Sequence, residues 1–356
     1  MTGPHRAGDV IGGRYRVISF VGQGGMQYVY KATDTVMLRD VALKTPKNSS
    51  ATKRFKRSAI VAAKVNHHSV AKTLDYVKEG DNRYLIEEFV DGLDLQEGLL
   101  KYNPFIDPYL AAKIFHYLSK GLAAAHHVKV VHRDLKPTNI MIGGGYSLTE
   151  IKITDFGIAK MADEELIDAA EGGESTMTTS QTAVGALPYM APEAIDRPRE
   201  VGPPADVWSI GAMMYQLITG QLPFGSGLKA VTRIMQDQPS PIPVFVKSNP
   251  QFSPLASNLL DIAMACLNKD PSARPTADDL VRSCGQLCYS RSPRSEGTIG
   301  EFKYQAWGYI NSENPRVFFH RSSVYGPRPI AGGSRVLFSS YSGGGADRAH
   351  PVVILN

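Results

Sequence analysis

The chain has 356 residues, of which 43% are hydrophobic and 21% charged, with a formal net charge of +5 at pH 7. This length predicts about two domains, and the composition excludes a wholly disordered protein. Three cysteines exclude a disulfide-stapled scaffold and fit a reducing compartment. The N-terminus shows no apolar signal segment, and no apolar run approaches the ~20 residues that a bilayer span requires. We therefore expect a cytoplasmic protein.

Short alternating apolar runs dominate from about residue 14 to residue 90 and predict a strand-rich lobe. One stretch within this lobe, Lys53–Lys64, has helical spacing instead and reads KRFKRSAIVAAK. Helical spacing then dominates as far as about Cys284. Its apolar periodicity begins near Pro108, near Ala205 and near Pro254. A strand-rich lobe followed by a helical lobe predicts an α+β fold.

The composition shifts again after residue 285. The stretch SRSPRSEG is polar with one proline, which predicts a short linker at residues 286–296. Beyond the linker, five short runs contain aromatic residues and are separated by glycine-rich turns. They read TIGEFKY, AWGYI, RVFFH, SRVLFSS and PVVIL. Five such strands in this short segment predict a small all-β barrel.

Three motifs place phosphate-handling chemistry in order along the chain. VGQGGMQYVYKA is a glycine-rich turn between strands, where backbone amides can approach a phosphate, and VALK then sets Lys44 on the next strand. VHRDLKPTNI offers Asp134 to orient a hydroxyl, Lys136 as a cation and Asn139 as an oxygen ligand. ITDFG adds Asp155, a hard carboxylate suited to Mg²⁺. An isolated aspartate is more often a helix cap or a surface charge, so the ordered set is the signal.

This set, together with LPYMAPE, ADVWSIG and KDPSARPTA, resembles the eukaryotic-type Ser/Thr protein kinases of bacteria over residues 13–285. The resemblance implies the two-lobed kinase fold with ATP and Mg²⁺ between the lobes and Ser/Thr hydroxyls as acceptors. It predicts an N-terminal tail at 1–12, an N-lobe at 13–89 and a C-lobe at 90–285. Protein substrates are the partners that this resemblance implies.

The same resemblance suggests roles for individual residues. Glu193 would pair with Arg274 to brace the helical lobe, and Asp206 would anchor the catalytic loop. Arg133 would meet a phosphate on the activation segment. The candidate phosphoacceptors there are Thr176, Thr178, Thr179 and Thr182. The nucleotide pocket would be lined by Gly22, Gly24, Gly25, Val29, Ala42, Lys44, Glu87, Glu88, Val90 and Met141.

Four positions depart from the kinase pattern. Ser58 stands where the family places the helix glutamate that pairs with the strand lysine, here Lys44. Glu87 falls at the gatekeeper position behind the nucleotide, and we hypothesise that it replaces the missing acid and pairs with Lys44. The alternative is a Glu87 that is partly hydrated and protonated, or that is turned away. Gln27 in the third glycine position and Ala186 in place of a threonine are expected to cost rate rather than fold.

The tail introduces a second class of function. GTIGEF, AWGYI and VFFHRS resemble the first strand and the two nucleic-acid motifs of a cold-shock domain, over residues 297–355. The resemblance implies a five-stranded OB-type barrel that binds single-stranded RNA or DNA by stacking bases on aromatic side chains. The predicted stacking residues are Phe302, Trp307, Tyr309, Phe318 and His320. Aromatic residues that serve only a small barrel core are the alternative, and Glu301 replaces an aromatic of the family pattern.

Two functions therefore remain open from the sequence. The first is a protein Ser/Thr kinase with a C-terminal module for single-stranded nucleic acid. The second is a catalytically impaired, nucleotide-binding scaffold that acts mainly through nucleic-acid binding. The departures that favour the scaffold are Ser58, Gln27, Ala186 and Glu301.

Overall fold

The structure is a computed structural model with two lobes and a C-terminal barrel. It describes residues 3–23, 27–47, 52–156, 185–289, 292–313 and 316–355. The predicted α+β class is confirmed, with a strand-rich lobe, a helical lobe and a small all-β barrel.

The N-lobe is an antiparallel sheet in the order β1-β2-β3-β4-β6-β5 with one helix on its face. The strands are β1 (Val10–Ile11), β2 (Tyr15–Gln23), β3 (Gln27–Asp34), β4 (Arg39–Pro46), β5 (Thr73–Glu79) and β6 (Asn82–Glu88). Helix α1 (Thr52–Ala62) packs against β5 and β6 and buries Phe55 and Ala59 against Leu85. This contact places α1 on the face of the sheet that also carries Lys44, because Lys44 and Leu85 are register partners.

The C-lobe is mainly helical and also contains a small sheet of β7 (Gly92–Asp94), β8 (Ile140–Gly143) and β9 (Glu150–Ile153). Its helices are α2 (Pro108–His127), α3 (Pro192–Asp196), α4 (Pro203–Thr219), α5 (Leu228–Met235), α6 (Phe245–Ser248), α7 (Ser253–Cys266) and α8 (Ala277–Gly285). Apolar side chains from α2, α4 and α7 form the largest core. None of the helices in the described ranges combines the length and apolar character that a membrane span requires.

The C-terminal domain is a closed barrel. Its strands are β10 (Ser295–Lys303), β11 (Trp307–Asn311), β12 (Val317–His320), β13 (Val324–Tyr325), β14 (Arg335–Tyr341) and β15 (Arg348–Ile354). The order β12-β11-β10-β14-β15 closes on itself through a parallel pairing of β12 with β15, and the short β13 adds to β15. Five strands in this cyclic order form an OB-type barrel.

The barrel is packed directly on the C-lobe. Arg294, just before β10, donates two hydrogen bonds of 2.9 Å to the carboxylate of Asp107, and their side chains are only 4% and 1% exposed. Asp107 also caps α2 by accepting from the backbone amides of Tyr109 and Leu110. Tyr325 of β13 joins an apolar cluster with C-lobe aromatics and donates its hydroxyl to the Ile218 carbonyl at 3.2 Å. The two domains therefore share a buried interface.

Candidate functional site

The strongest feature of the cleft is a buried ion pair between neighbouring strands. Nζ of Lys44 on β4 lies 2.5 Å from Oε2 of Glu87 on β6 and 2.8 Å from Oδ1 of Asp155. The side chains of Lys44 and Glu87 are only 6% and 3% exposed. Ala42 is the register partner of Glu87, so Lys44 and Glu87 are diagonal neighbours on one face of the sheet. The predicted pairing of Glu87 with Lys44 is confirmed.

The charges in this cluster stabilise one another. Burial alone lowers the pKa of Lys44, but the Asp155 and Glu87 carboxylates outweigh it and raise that pKa, which keeps the ammonium charged. Burial favours the neutral form of Asp155, yet Lys44 and the Gln27 amide lower the pKa of its carboxyl group. For Glu87 burial dominates and raises the pKa, with Lys44 offsetting part of the effect. Removing any one partner would leave a costly buried charge.

Ser58 lies on helix α1 and is buried, as expected for a residue that replaces a buried acid. A serine cannot neutralise an ammonium, so the carboxylate that the lysine requires comes from the sheet instead of the helix. Glu87 at the gatekeeper position thus supplies the carboxylate contact to Lys44 that Ser58 on the helix cannot make.

Gln27 reaches from the start of β3 to the same cluster. Its Nε2 donates to Oδ1 of Asp155 at 2.8 Å, and its side chain is buried. This contact ties the start of β3, directly after the glycine-rich turn, to the carboxylate predicted to bind Mg²⁺. The sequence carried no signal for this bond between residues far apart in the chain.

The catalytic loop brings its three predicted residues together. Lys136 Nζ donates to Oδ2 of Asp134 at 2.7 Å, and Asn139 Nδ2 donates to the Asp134 carbonyl at 2.6 Å. The backbone carbonyl of Asn139 accepts from the Thr154 amide at 2.9 Å, which joins this loop to the segment that carries Asp155. The carboxylate predicted to orient the acceptor and the two predicted metal ligands therefore lie on segments that are hydrogen-bonded to one another.

The loop is held in an unusual backbone conformation. Arg133 has φ +70 and Asp155 has φ +64, values in the left-handed region that cost of order 1–3 kcal/mol each. The fully buried Asp206 accepts from the backbone amides of His132 and Arg133 at 2.8 and 2.7 Å. The predicted anchoring of the loop by Asp206 is confirmed, and its contacts help to hold Arg133 in this conformation.

The walls of the predicted nucleotide pocket are apolar and partly open. Val29, Ala42 and Met141 are half-buried, whereas their neighbours Leu43 and Ile142 are buried in the cores. The remaining predicted residues of the pocket differ from one another in burial and in contacts. Val90 is buried, Gly22 is half-buried, and Glu88 accepts from Lys152 at 2.5 Å. Gly24, Gly25, Thr176, Thr178, Thr179 and Thr182 lie outside the described residues.

Three further predicted residues lie in the C-lobe. Arg274 donates to both carboxylate oxygens of Glu193 at 2.6 and 2.8 Å, in a buried bidentate pair. This predicted brace of the helical lobe is confirmed. Ala186 is half-buried and directly precedes the short turn Leu187–Tyr189.

A second candidate site lies on the barrel. Trp307 and Tyr309 of β11 pair in register with His320 and Phe318 of β12, so four of the five predicted stacking residues share one face. The ring centroids of Trp307 and Tyr309 lie 5.9 Å apart in an edge-on arrangement, and both rings contact the ring of Phe318. Their side chains are half-buried and that of His320 is exposed, which leaves aromatic surface at the solvent. We call Trp307, Tyr309, Phe318 and His320 the aromatic platform.

Phe302 does not belong to this platform, which corrects the prediction from sequence. On β10, Glu301 and Lys303 are the register partners of Tyr309 and Trp307, so the intervening Phe302 points to the opposite face. It stacks on the core residue Phe319 at 5.9 Å and packs against the barrel core. Glu301 and Lys303 are the residues that β10 places beside the platform.

Sequence comparison places the first three quarters of the chain in a known family. Residues 15–284 match the protein kinase domain family. The chain is 31% identical to the Ser/Thr-protein kinase PrkC of Bacillus subtilis over 77% of its length, covering 40% of that protein. It is 32% identical to a probable Ser/Thr-protein kinase PknB of Corynebacterium glutamicum over 78% of its length, covering 43% of that protein. The chain thus spans about two fifths of the length of these curated relatives.

A solved structure shows the same fold. The crystal structure of Rad53 residues 1–466 in complex with AMP-PNP aligns with a TM-score of 0.59 and 24% sequence identity. The alignment covers 76% of this chain and 64% of the other. From the kinase-like cleft and the match over residues 15–284, the chain belongs to the protein kinase domain family.

Proposed function

We propose that this chain is an active protein Ser/Thr kinase that transfers the γ-phosphate of ATP to Ser or Thr hydroxyls. The observation that carries the proposal is the Lys44–Glu87 pair at 2.5 Å. Without a helix acid at position 58, an unpaired Lys44 would favour the impaired scaffold. With Glu87 in contact, the lysine retains the carboxylate partner that phosphate binding in kinases requires.

The residues of the cleft divide the work of phosphoryl transfer. Lys44, fixed by Glu87, presents its ammonium towards the α- and β-phosphates. Asp134 orients the acceptor hydroxyl and receives its proton, and Lys136, 2.7 Å from Asp134, stabilises negative charge on the transferring group. These steps consist of positioning and electrostatics, which suits a reaction with little covalent work for the protein.

The donor set also fits a magnesium ion. Asn139 and Asp155 offer hard oxygen ligands, and the bond between the Asn139 carbonyl and the Thr154 amide keeps their segments adjacent. Within the described residues, no group of three or more His, Cys, Asp or Glu side chains could hold a metal alone. Two protein ligands supplemented by phosphate oxygens are the usual arrangement for Mg²⁺. Mg²⁺ bound with ATP would neutralise the charge that develops on the phosphates.

A phosphotransfer assay tests this proposal. Purified protein incubated with γ-labelled ATP, Mg²⁺ and a generic Ser/Thr substrate should incorporate label, and Asp134→Asn should lose incorporation because it removes the acceptor-orienting carboxylate. Nucleotide binding by the variant, followed by calorimetry, should persist since Asp134 does not hold the phosphates. Equal incorporation by the wild type and the variant would trace the signal to a contaminating enzyme and contradict the proposal.

We also propose that the barrel binds single-stranded nucleic acid. The aromatic platform supports this second function because three ring systems and an imidazole lie on one open face beside Lys303 and Arg316. Unpaired bases stack on such rings, and nearby cations attract the backbone. The other face of the same strands supplies the barrel core, so the platform rings are not needed to fill it.

Replacing Trp307 by Ala should weaken binding of a short labelled RNA about 10- to 100-fold, because loss of one stacking contact costs roughly 1–3 kcal/mol. Fluorescence anisotropy at several salt concentrations measures this change. The wild-type affinity should fall as salt increases, since bound cations release counterions from the phosphates. Tyr341→Ala is the matched control, because Tyr341 is an exposed ring on β14, outside the platform. Equal losses in the two variants would argue against the platform.

A further inference from the structure

We infer that the aromatic platform selects guanine bases. In this arrangement a guanine stacks on Tyr309, and Glu301 accepts hydrogen bonds from its Watson–Crick edge. This inference rests on the proposed nucleic-acid function and adds the base that the site prefers. It begins from a contact made by one of the chain's own side chains.

Arg316 occupies the platform as a guanine would. Its guanidinium carbon lies 4.6 Å from the centroid of the Tyr309 ring, and its Nη2 lies 3.2 Å from Oε2 of Glu301. A flat guanidinium group therefore lies over an aromatic ring while one of its nitrogens forms an ion pair with a carboxylate. Guanine contains the same guanidine unit, formed by C2 with N1, N3 and the 2-amino nitrogen.

The position of Glu301 supports this comparison. Glu301 is the register partner of Tyr309 on the same face, and about half of its side chain is exposed. Lys303 and Arg316 both contact Oε2, at 3.1 and 3.2 Å. These contacts are made to Oε2, and the half-exposed carboxylate is accessible to a ligand that donates hydrogen bonds. Both cations lower the pKa of this carboxyl group, which therefore accepts hydrogen bonds and donates none at neutral pH.

Base chemistry then determines the preference. Guanine presents two adjacent donors, N1–H and the 2-amino group, which match the two oxygens of a carboxylate. Adenine, cytosine and uracil each place an acceptor beside their donor, and that acceptor would face the negative charge of Glu301. Single-stranded recognition commonly combines aromatic stacking with hydrogen bonds to this edge. A carboxylate beside a stacking ring therefore favours guanine over the other three bases.

The same arrangement explains how the site can open. Arg316 is more than half exposed and lies at the start of the segment that leads into β12. When a guanine takes the place of the guanidinium over Tyr309, the arginine becomes free to contact the phosphate backbone. The acid that departs from the cold-shock pattern thus changes base preference instead of simply repelling nucleic acid.

Anisotropy with short oligonucleotides tests the inference. The full chain is titrated with labelled UUUGUUU, UUUAUUU, UUUCUUU and UUUUUUU, and the guanine oligonucleotide should bind roughly tenfold more tightly than the others, a typical value for one bidentate contact. Inosine in place of guanine lacks the 2-amino group and should lose most of this advantage. Glu301→Gln should also abolish the preference, because an amide offers only one acceptor oxygen.

Glu296→Gln is the matched control, since Glu296 is an exposed carboxylate on the same strand that pairs with Arg335 instead of the platform. This variant should retain the preference. Equal binding of all four oligonucleotides, or a preference that survives Glu301→Gln, overturns the guanine assignment but leaves single-strand binding intact. Failure of every oligonucleotide to bind overturns the proposed nucleic-acid function itself.

Discussion

Replacing Glu87 by Gln should lower kcat/KM for ATP about 100-fold. The substitution keeps the size of the side chain but leaves the buried Lys44 with Asp155 as its only carboxylate partner among the described residues. Breaking a buried ion pair by removing one partner costs about 3–5 kcal/mol. Because Asp155 still contacts Lys44, we expect about 2–3 kcal/mol to appear as lost transition-state binding. Steady-state kinetics and calorimetric ATP titrations measure the effect.

Asp40→Asn is the control for loss of charge alone, because Asp40 lies on the same strand as Lys44, is not among the residues predicted to line the nucleotide pocket, and has a partly exposed carboxylate that pairs with Lys31. It should change kcat/KM no more than about threefold, since partly exposed pairs contribute roughly 0–1 kcal/mol. A relocation variant sharpens the test. Adding Ser58→Glu to Glu87→Leu should restore much of the ATP affinity by returning an acid to helix α1. Unchanged ATP affinity in Glu87→Gln would remove the role assigned to Glu87.

Replacing Arg294 by Met should destabilise the chain by about 3 kcal/mol. Methionine preserves the apolar stem but leaves the buried Asp107 carboxylate without its cation. We expect the low end of the usual cost of breaking a buried ion pair, because two α2 amides still bind this carboxylate. Urea unfolding measures the loss. The two tryptophans report on the two domains separately, since Trp208 is buried in the C-lobe and Trp307 lies on the barrel.

Arg335→Met provides the comparison, because Arg335 makes a similar contact with Glu296 at 2.8 Å but both side chains are about half exposed. An exposed pair of this kind contributes about 0–1 kcal/mol. The Trp307 signal should therefore shift to lower urea in Arg294→Met and hardly move in Arg335→Met. Equal shifts in the two variants would show that the domain interface does not depend on the buried pair.

The sequence predicted that the catalytic-loop residues lie close together because they belong to one short motif. HRDLKPTN fixes the spacing of Asp134, Lys136 and Asn139 within one loop, so their proximity follows from the chain itself. The Glu87 pairing needed a longer argument. The missing acid at position 58 leaves Lys44 without its usual partner, and the gatekeeper position carries an unexpected acid. Because a buried unpaired carboxylate is costly, the two observations together predict that Glu87 pairs with Lys44.

The remaining features depend on distant parts of the chain. Phe302 was assigned to the platform from its aromatic character, but strand alternation relative to β11 places it in the core, and that register is visible only in the sheet. Asp107 and Arg294 are 187 residues apart and have no local signal. The stacking of Arg316 on Tyr309 likewise depends on side-chain conformations that spacing does not encode.

The strand location of the Glu87 carboxylate has a consequence for how the cleft can be controlled. In kinases generally, activation positions the N-lobe helix so that its acid meets the strand lysine. Here both partners belong to adjacent hydrogen-bonded strands, which cannot separate without breaking the sheet. A swing of α1 would leave the lysine in place, so displacement of this helix is not a means of switching the cleft off. An inhibitor that acts by displacing α1 should therefore not separate Lys44 from Glu87.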